Sequence, residues 1–294
     1  MTGAMASRLS GRGIVRIGGP EARSFLQGLV TNNVDQADGA QLVYAALLTP
    51  QGKFLFDFFM AGDPADPEAV LLDCDGARAG DLVKRLSMYK LRAKVEIEDR
   101  SGDFAVIAYW NEDGSPMAGG PGLPDPRHPQ MGRRAIVPEK AADTAMLPEE
   151  AWHRHRISLG IGEAAEDFEP DRTFPLEVNF AELNGIDFHK GCFVGQEVTS
   201  RTKRRGSVRK RLLPVHVEGD MPEPGTPVKG GVREVGTIHS TDARSARALA
   251  LLRLDLIGGA VLEAGQAEIR PEIPGWLEAS IESGRSEESG GDGD

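Results

Sequence analysis

The stretch GIDFHKGCFVGQE, Gly185 to Glu197, decides how the rest of the chain is read. It holds one of the two cysteines, Cys192, directly after Gly191 and three residues before Gly195. Glycine reaches backbone conformations closed to other residues, so the cysteine belongs to a tightly turned segment. From Gln196 to about Arg205 the residues suit a short helix that Gly206 ends. Cys192 then falls at or just before a helix N-terminus, where unpaired amides and the macrodipole favour a thiolate. Lys190 adds a positive charge nearby. The same residues also suit a plain buried cysteine that only fills volume. Cys74, inside the strand-like LLDCD, takes that second reading.

Outward from this stretch, the first hundred residues mix strands and helices. Glu21 to Leu29 has helical spacing, with Pro20 suited to a first turn. Leu42 to Leu48 and Phe54 to Met60 are apolar runs about TPQGK, which predicts a β-hairpin. Ala69 to Leu72 reads as a strand, Gly80 to Tyr89 as an amphipathic helix and Lys94 to Ile97 as a strand. Residues 111–130 form a loop rich in Pro, Gly and Asp. A helix is predicted from near Glu149, past Trp152, to about Leu159, and residues 163–173 are irregular. After Gly206, short apolar segments between Gly/Pro turns predict a small antiparallel barrel or sandwich. The final stretch from Glu278 lacks core residues and predicts a disordered acidic tail. The expected domains are 1–205, 206–277 and a tail over 278–294.

Composition bounds the function. The 294 residues are 40% hydrophobic and 27% charged, with a formal net charge of -11. No run of about eighteen apolar residues exists, so no membrane span is expected. The N-terminal MTGAMASRLSGRG lacks the apolar middle of a secretory signal, and two cysteines fit a reducing compartment; the expectation is a cytoplasmic protein. Neither cysteine has a CxxC partner, so no self-contained metal site is expected. The net negative charge disfavours general nucleic-acid binding. The basic run Arg201 to Arg211 is the local exception. It suits phosphates, or the glutamate tail of a polyglutamyl folate. Its cations also suit a helix C-terminus, with Arg209 and Arg211 facing out from a first barrel strand. No aromatics interleave, so a stacking platform for single strands is absent. His153 and His155 point to different sides of their helix, and His189 reads as a surface charge.

Gly185 to Glu197 resembles the signature of the folate-binding YgfZ-type proteins. These are relatives of the glycine-cleavage aminomethyltransferase that act in iron–sulfur cluster assembly or repair. The family pattern is close to G-I-S-F-K-K-G-C-Y-x-G-Q-E. Asp187, His189 and Phe193 depart from it; Lys190, Gly191, Cys192, Gly195, Gln196 and Glu197 match. FLQGLVTNNV, LLTPQGKFLFD and RLSMYKLRAKVEIED are similar too, so the resemblance covers most of residues 8–275.

The resemblance implies an α+β, aminomethyltransferase-like fold: two α+β parts and a C-terminal antiparallel β-barrel around a central cavity that binds tetrahydrofolate. It implies that Cys192 is the key functional residue, with Lys190 beside it as a catalytic candidate. Gly191, Gln196 and Glu197 shape the surroundings and are cofactor-binding candidates. A pterin ring needs a flat apolar neighbour and fixed polar groups. Trp152 is the ring-contact candidate, balanced against simple core packing, and Glu177 and Asn179 are further cavity candidates. The aminomethyltransferases carry an Asp-Asp pair on the second hairpin strand; here Phe56 replaces one acid and Asp57 remains, which reads as a solvated hairpin residue. The leading expectation is an accessory protein that binds a reduced folate and serves iron–sulfur client enzymes or cluster-assembly proteins through Cys192. The alternative is a folate-dependent one-carbon transferase.

Overall fold

A computed structural model describes residues 3–142, 146–206, 208–258 and 261–290, with side chains described to residue 282. The elements are β1 (Ala4–Arg8), β2 (Arg12–Gly18), α1 (Ala22–Gln27), β3 (Val43–Leu48), β4 (Phe54–Asp63), β5 (Asp66–Asp75), α2 (Ala79–Lys90), β6 (Glu96–Asp99) and β7 (Phe104–Asn111). They continue with β8 (Leu123–Pro124), β9 (Arg133–Pro138), α3 (Glu149–Ser158), α4 (Ala164–Asp167), α5 (Gln196–Arg204), β10 (Lys210–Glu218), β11 (Pro227–Gly230) and β12 (Arg233–Asp242). Last come β13 (Arg247–Arg253), β14 (Leu262–Ala264), β15 (Ala267–Pro271) and α6 (Gly275–Gly290).

The chain divides into two compact units, and neither is continuous. One holds Met1–Trp152 and Leu183–Gln196; the other holds His153–Glu182 and Glu197–Asp294. The break expected near residue 205 is replaced by this interleaving, because residues 183–196 pack with the N-terminal unit and residues 153–182 with the barrel unit.

The first unit has two antiparallel sheets. Strands β3-β4-β5-β2-β6 make a five-stranded sheet and β1-β7-β9-β8 a four-stranded one. The hairpin β3–β4 closes over the TPQGK turn, where the Thr49 amide donates to the Lys53 carbonyl at 2.8 Å and Gly52 takes φ 76°. Side chains alternate across β4. Phe56, Phe58 and Met60 join Leu26 of α1 and Leu82 and Leu86 of α2 in one apolar core.

The opposite face of that sheet carries buried charges among apolar side chains such as Phe59 and Leu71. Asp57 is buried and accepts a hydrogen bond from the Tyr44 hydroxyl at 2.9 Å, so it is not the solvated residue expected from sequence. Asp73 on β5 receives Arg12 at 2.7 Å and Arg134 at 2.6 Å on its two oxygens. Arg127 grips Asp125 through two contacts of 3.0 and 2.8 Å. The Arg134 guanidinium stacks over Phe59, 4.2 Å from the ring centre. Buried carboxylates stay ionised only against such partners; burial pushes the Asp125 carboxyl up, but the charge and hydrogen bonds of Arg127 and the charge of Arg134 together hold it below its ordinary value.

The second unit is built on a closed six-stranded barrel, β10-β13-β12-β11-β14-β15. Its core includes Leu213, Val215, Ile238, Leu252 and Ile269. The expected disordered tail is instead helical through Gly290, and residues 291–294 lie outside the described ones. The reason is visible in Leu277 and Ile281: four residues apart on one helix face, both are buried in the barrel core.

Candidate functional site

The Cys192 turn belongs to the first unit and is held there by two other segments, residues 27–32 and the β3–β4 turn. Asn32 donates from its amide to the Asn184 carbonyl at 2.7 Å. The Thr31 hydroxyl donates to the Gly185 carbonyl at 2.7 Å, and the Asp187 amide donates to the Thr31 carbonyl at 3.0 Å. Lys190 donates from Nζ to the carbonyls of Gln27 and Val30, at 2.7 and 2.6 Å. The Gln27 carbonyl ends α1, where helical acceptors lack partners and cations are favoured, and Val30 lies three residues beyond.

On the far side of the thiol, Gly195 lies against the β3–β4 turn. A Cβ there would stand 2.7 Å from the Thr49 carbonyl oxygen and 2.9 Å from the Gly52 Cα. Phe193 is buried and Val194 packs on the apolar core. Cys192 is left exposed, whereas Cys74 is buried and burial pushes its thiol up to about 12. A nucleophile or ligand must be a thiolate that solvent or a partner can reach. By that criterion Cys192 qualifies and Cys74 does not.

Helix α5 begins at Gln196, as the sequence predicts, which places Cys192 four residues before it; the intervening turn closes through the Gln196 amide on the Phe193 carbonyl at 3.2 Å. One expectation for this turn changes. Lys190 is turned onto α1 rather than committed to acid–base work. Burial pushes its ammonium down to about 8, against the opposing pull of Asp187 and Asp35. Gly191 is exposed at φ 99°, Gln196 is half-buried and Glu197 is exposed.

The folate contacts read from sequence divide. Trp152 is only 1% exposed and packs on Trp110, their ring centres 5.6 Å apart. Asn179, in the barrel unit, is buried: its amide donates to the Leu212 carbonyl at 2.8 Å and its oxygen accepts from Arg211 at 3.2 Å. Arg211 is not an outward strand residue. It is buried, paired with Glu182 at 3.0 Å and hydrogen-bonded to Ser280. Glu177 stays half-buried, and burial holds its carboxyl above the ordinary value, with the Phe174 amide and Lys210 pulling the other way.

Sequence reading missed Thr31 and Asn32, whose contacts join segments more than 150 residues apart. It missed the buried Arg–Asp cluster as well. The available signal was a charge inside an apolar run, as in FLFDFFM and LLDCD. Among the described residues, no group of three or more His, Cys, Asp or Glu is placed to hold a metal ion, and no helix is long and apolar enough to cross a membrane.

Comparison with known proteins gives this geometry its family. A profile described as the CAF17 C-terminal beta-barrel domain matches residues 209–279. The crystal structure of glycine cleavage system aminomethyltransferase T from Bartonella henselae aligns with a TM-score of 0.70. It is 14% identical and covers 92% of this chain and 86% of that one. The aminomethyltransferase-like fold expected above is therefore shown. Among curated relatives, the mouse protein named iron-sulfur cluster assembly factor IBA57, mitochondrial, is 34% identical, over 92% of this chain and 84% of its own. The human protein of that name is 32% identical with the same coverage. A Neurospora crassa homologue is 36% identical over 74% of this chain, which spans 55% of that longer relative. These relatives are named mitochondrial, which overturns the cytoplasmic expectation. A relative this similar over most of both lengths shows the family: the chain belongs to the IBA57 family of iron–sulfur cluster assembly factors.

Proposed function

We propose that the chain is an accessory factor in iron–sulfur cluster assembly, with Cys192 as the thiol that engages the cluster or the sulfur being handled. The observation that carries this reading is the contrast within one chain. Cys74 is buried and protonated, whereas Cys192 stands exposed on a turn anchored on both sides. One cysteine supplies one of the roughly four protein ligands a cluster takes. The remaining ligands come from a second protein, which makes cluster-assembly proteins or client enzymes the partners.

Tetrahydrofolate is the ligand that the fold implies, and the fit is poor. Trp152 and Asn179 are both buried, Trp152 against Trp110 and Asn179 on Leu212 and Arg211. Glu177, Gln196 and Glu197 retain accessible surface, but no ring contact remains among the residues read from sequence. No step is derived through folate. One-carbon transfer loses support for the same reason, and because Asp57 is buried under Tyr44.

The test is replacement in a cell that depends on this protein. With Cys192→Ser at normal abundance, iron–sulfur enzyme activities should fall to those of the deletion strain, while Cys74→Ser sustains them. Full activity with Cys192→Ser contradicts the proposal.

A further inference from the structure

We infer that Lys190 is a positioning residue: by binding the carbonyls of Gln27, at the end of α1, and Val30, just beyond it, Lys190 fixes where the Cys192 thiol stands. The inference rests on the reading that Cys192 is the working group, and it adds how that group is held. Two of the three ammonium donors are committed to the Gln27 and Val30 carbonyls. The side chain also runs beside Phe193, with Nζ 5.7 Å from the ring centre.

The sequence of anchors explains why this one matters. Asn184, Gly185 and Asp187 are each tied to Thr31 or Asn32. The His189 amide is closed locally on the Asp187 carboxylate at 2.7 Å. Lys190 is the last long-range side-chain anchor before the thiol. Gly191 follows at φ 99°, exposed, with nothing within 4 Å of where a Cβ would stand. A glycine with open space around it is a swivel, so position must be imposed from its neighbours. On one side that neighbour is Lys190; on the other it is the inward pair Phe193 and Val194. A mobile loop that must order on meeting a partner binds more weakly, and a held one avoids that penalty.

The experiment uses the full chain and a methanethiosulfonate nitroxide. Cys74 is buried, so the label reports Cys192. The wild-type spectrum should show slow, restricted motion on the nanosecond scale. Lys190→Met should shorten the correlation time several-fold with near-UV circular dichroism unchanged. Lys190→Arg, which keeps charge and donors, should stay close to wild type. If Lys190→Met does not fold, Lys190→Gln is the milder variant, with hydrogen exchange of amides 189–194 expected to rise several-fold. Equal mobility in Lys190→Met and wild type overturns the inference, as does a wild-type label that already moves freely. Global loss of structure in both the Met and Gln variants also overturns it, since Lys190 would then serve the fold at large. No cluster is needed for any arm, so failure here is separate from failure of the Cys192 reading.

Discussion

At the scale of single residues, Gly195 and Gly28 flank the same functional turn and obey opposite rules. Gly195 has φ 84° and faces the Thr49 carbonyl and Gly52 Cα within 3 Å of a Cβ. Gly28 has φ -78° and open space around it. Gly195→Ala should therefore cost on the order of 2 kcal/mol or more, from left-handed strain plus overlap. Gly28→Ala should stay within about 0.5 kcal/mol of wild type. Chemical denaturation of the two variants checks both, and equal loss would mean that the close approach at Gly195 is not real. Gly191 and Gly195 were legible in sequence as turn formers, and Cys192 as the residue between them. Their partners were not. Nothing local to KGCFVG announces Gln27, Val30 or Thr49, because those contacts depend on how distant segments are folded together.

Among elements, α6 and β10 show what burial does to sequence patterns. The tail from Glu278 looked acidic and unstructured because Ile281 is its only large apolar residue, yet Ile281 and Leu277, just before the expected boundary, sit on one helix face and both enter the barrel core. Leu277→Ala should lower stability by about 2–4 kcal/mol through a cavity at a fully buried site. A change below 0.5 kcal/mol in thermal unfolding would mean that α6 does not dock. Hairpin β3–β4 and helix α2 were readable because their apolar periodicity is local and their turns carry Pro and Gly. Arg211 was misread because its pairing with Glu182 spans a loop and a helix that periodicity does not cover. The segment between α4 and α5 also yields a pH signature. Glu177 has a raised carboxyl in the folded state, chiefly through burial. The folded chain then holds this proton more tightly than the unfolded one, so stability falls as pH climbs above the ordinary glutamate value, about 4.3. Glu177→Gln should be modestly more stable than wild type near pH 7, with the gap closing toward pH 4. A gap independent of pH would contradict this assignment.

On the scale of the whole molecule, two interleaved units carry separate duties. The first presents the thiol on a braced turn and buries an Arg–Asp cluster behind the same sheet. The second is a closed barrel, which leaves no exposed strand edges. Alternating apolar segments foretold a barrel or sandwich, but closure and strand count are properties of long-range pairing and were not readable. The interleaving was equally hidden, since residues 183–196 carry no mark of the unit they join. What the molecule lacks is a second exposed thiol, and that absence defines the central claim: Cys192 works on a cluster whose other ligands come from elsewhere. The most direct measurement mixes the purified chain with a carrier protein loaded with an iron–sulfur cluster and follows visible circular dichroism and complex mass. Wild type should form a cluster-dependent complex with an altered spectrum, and Cys192→Ser should form none. An identical spectrum and complex with the serine variant, or no response from wild type, would contradict it.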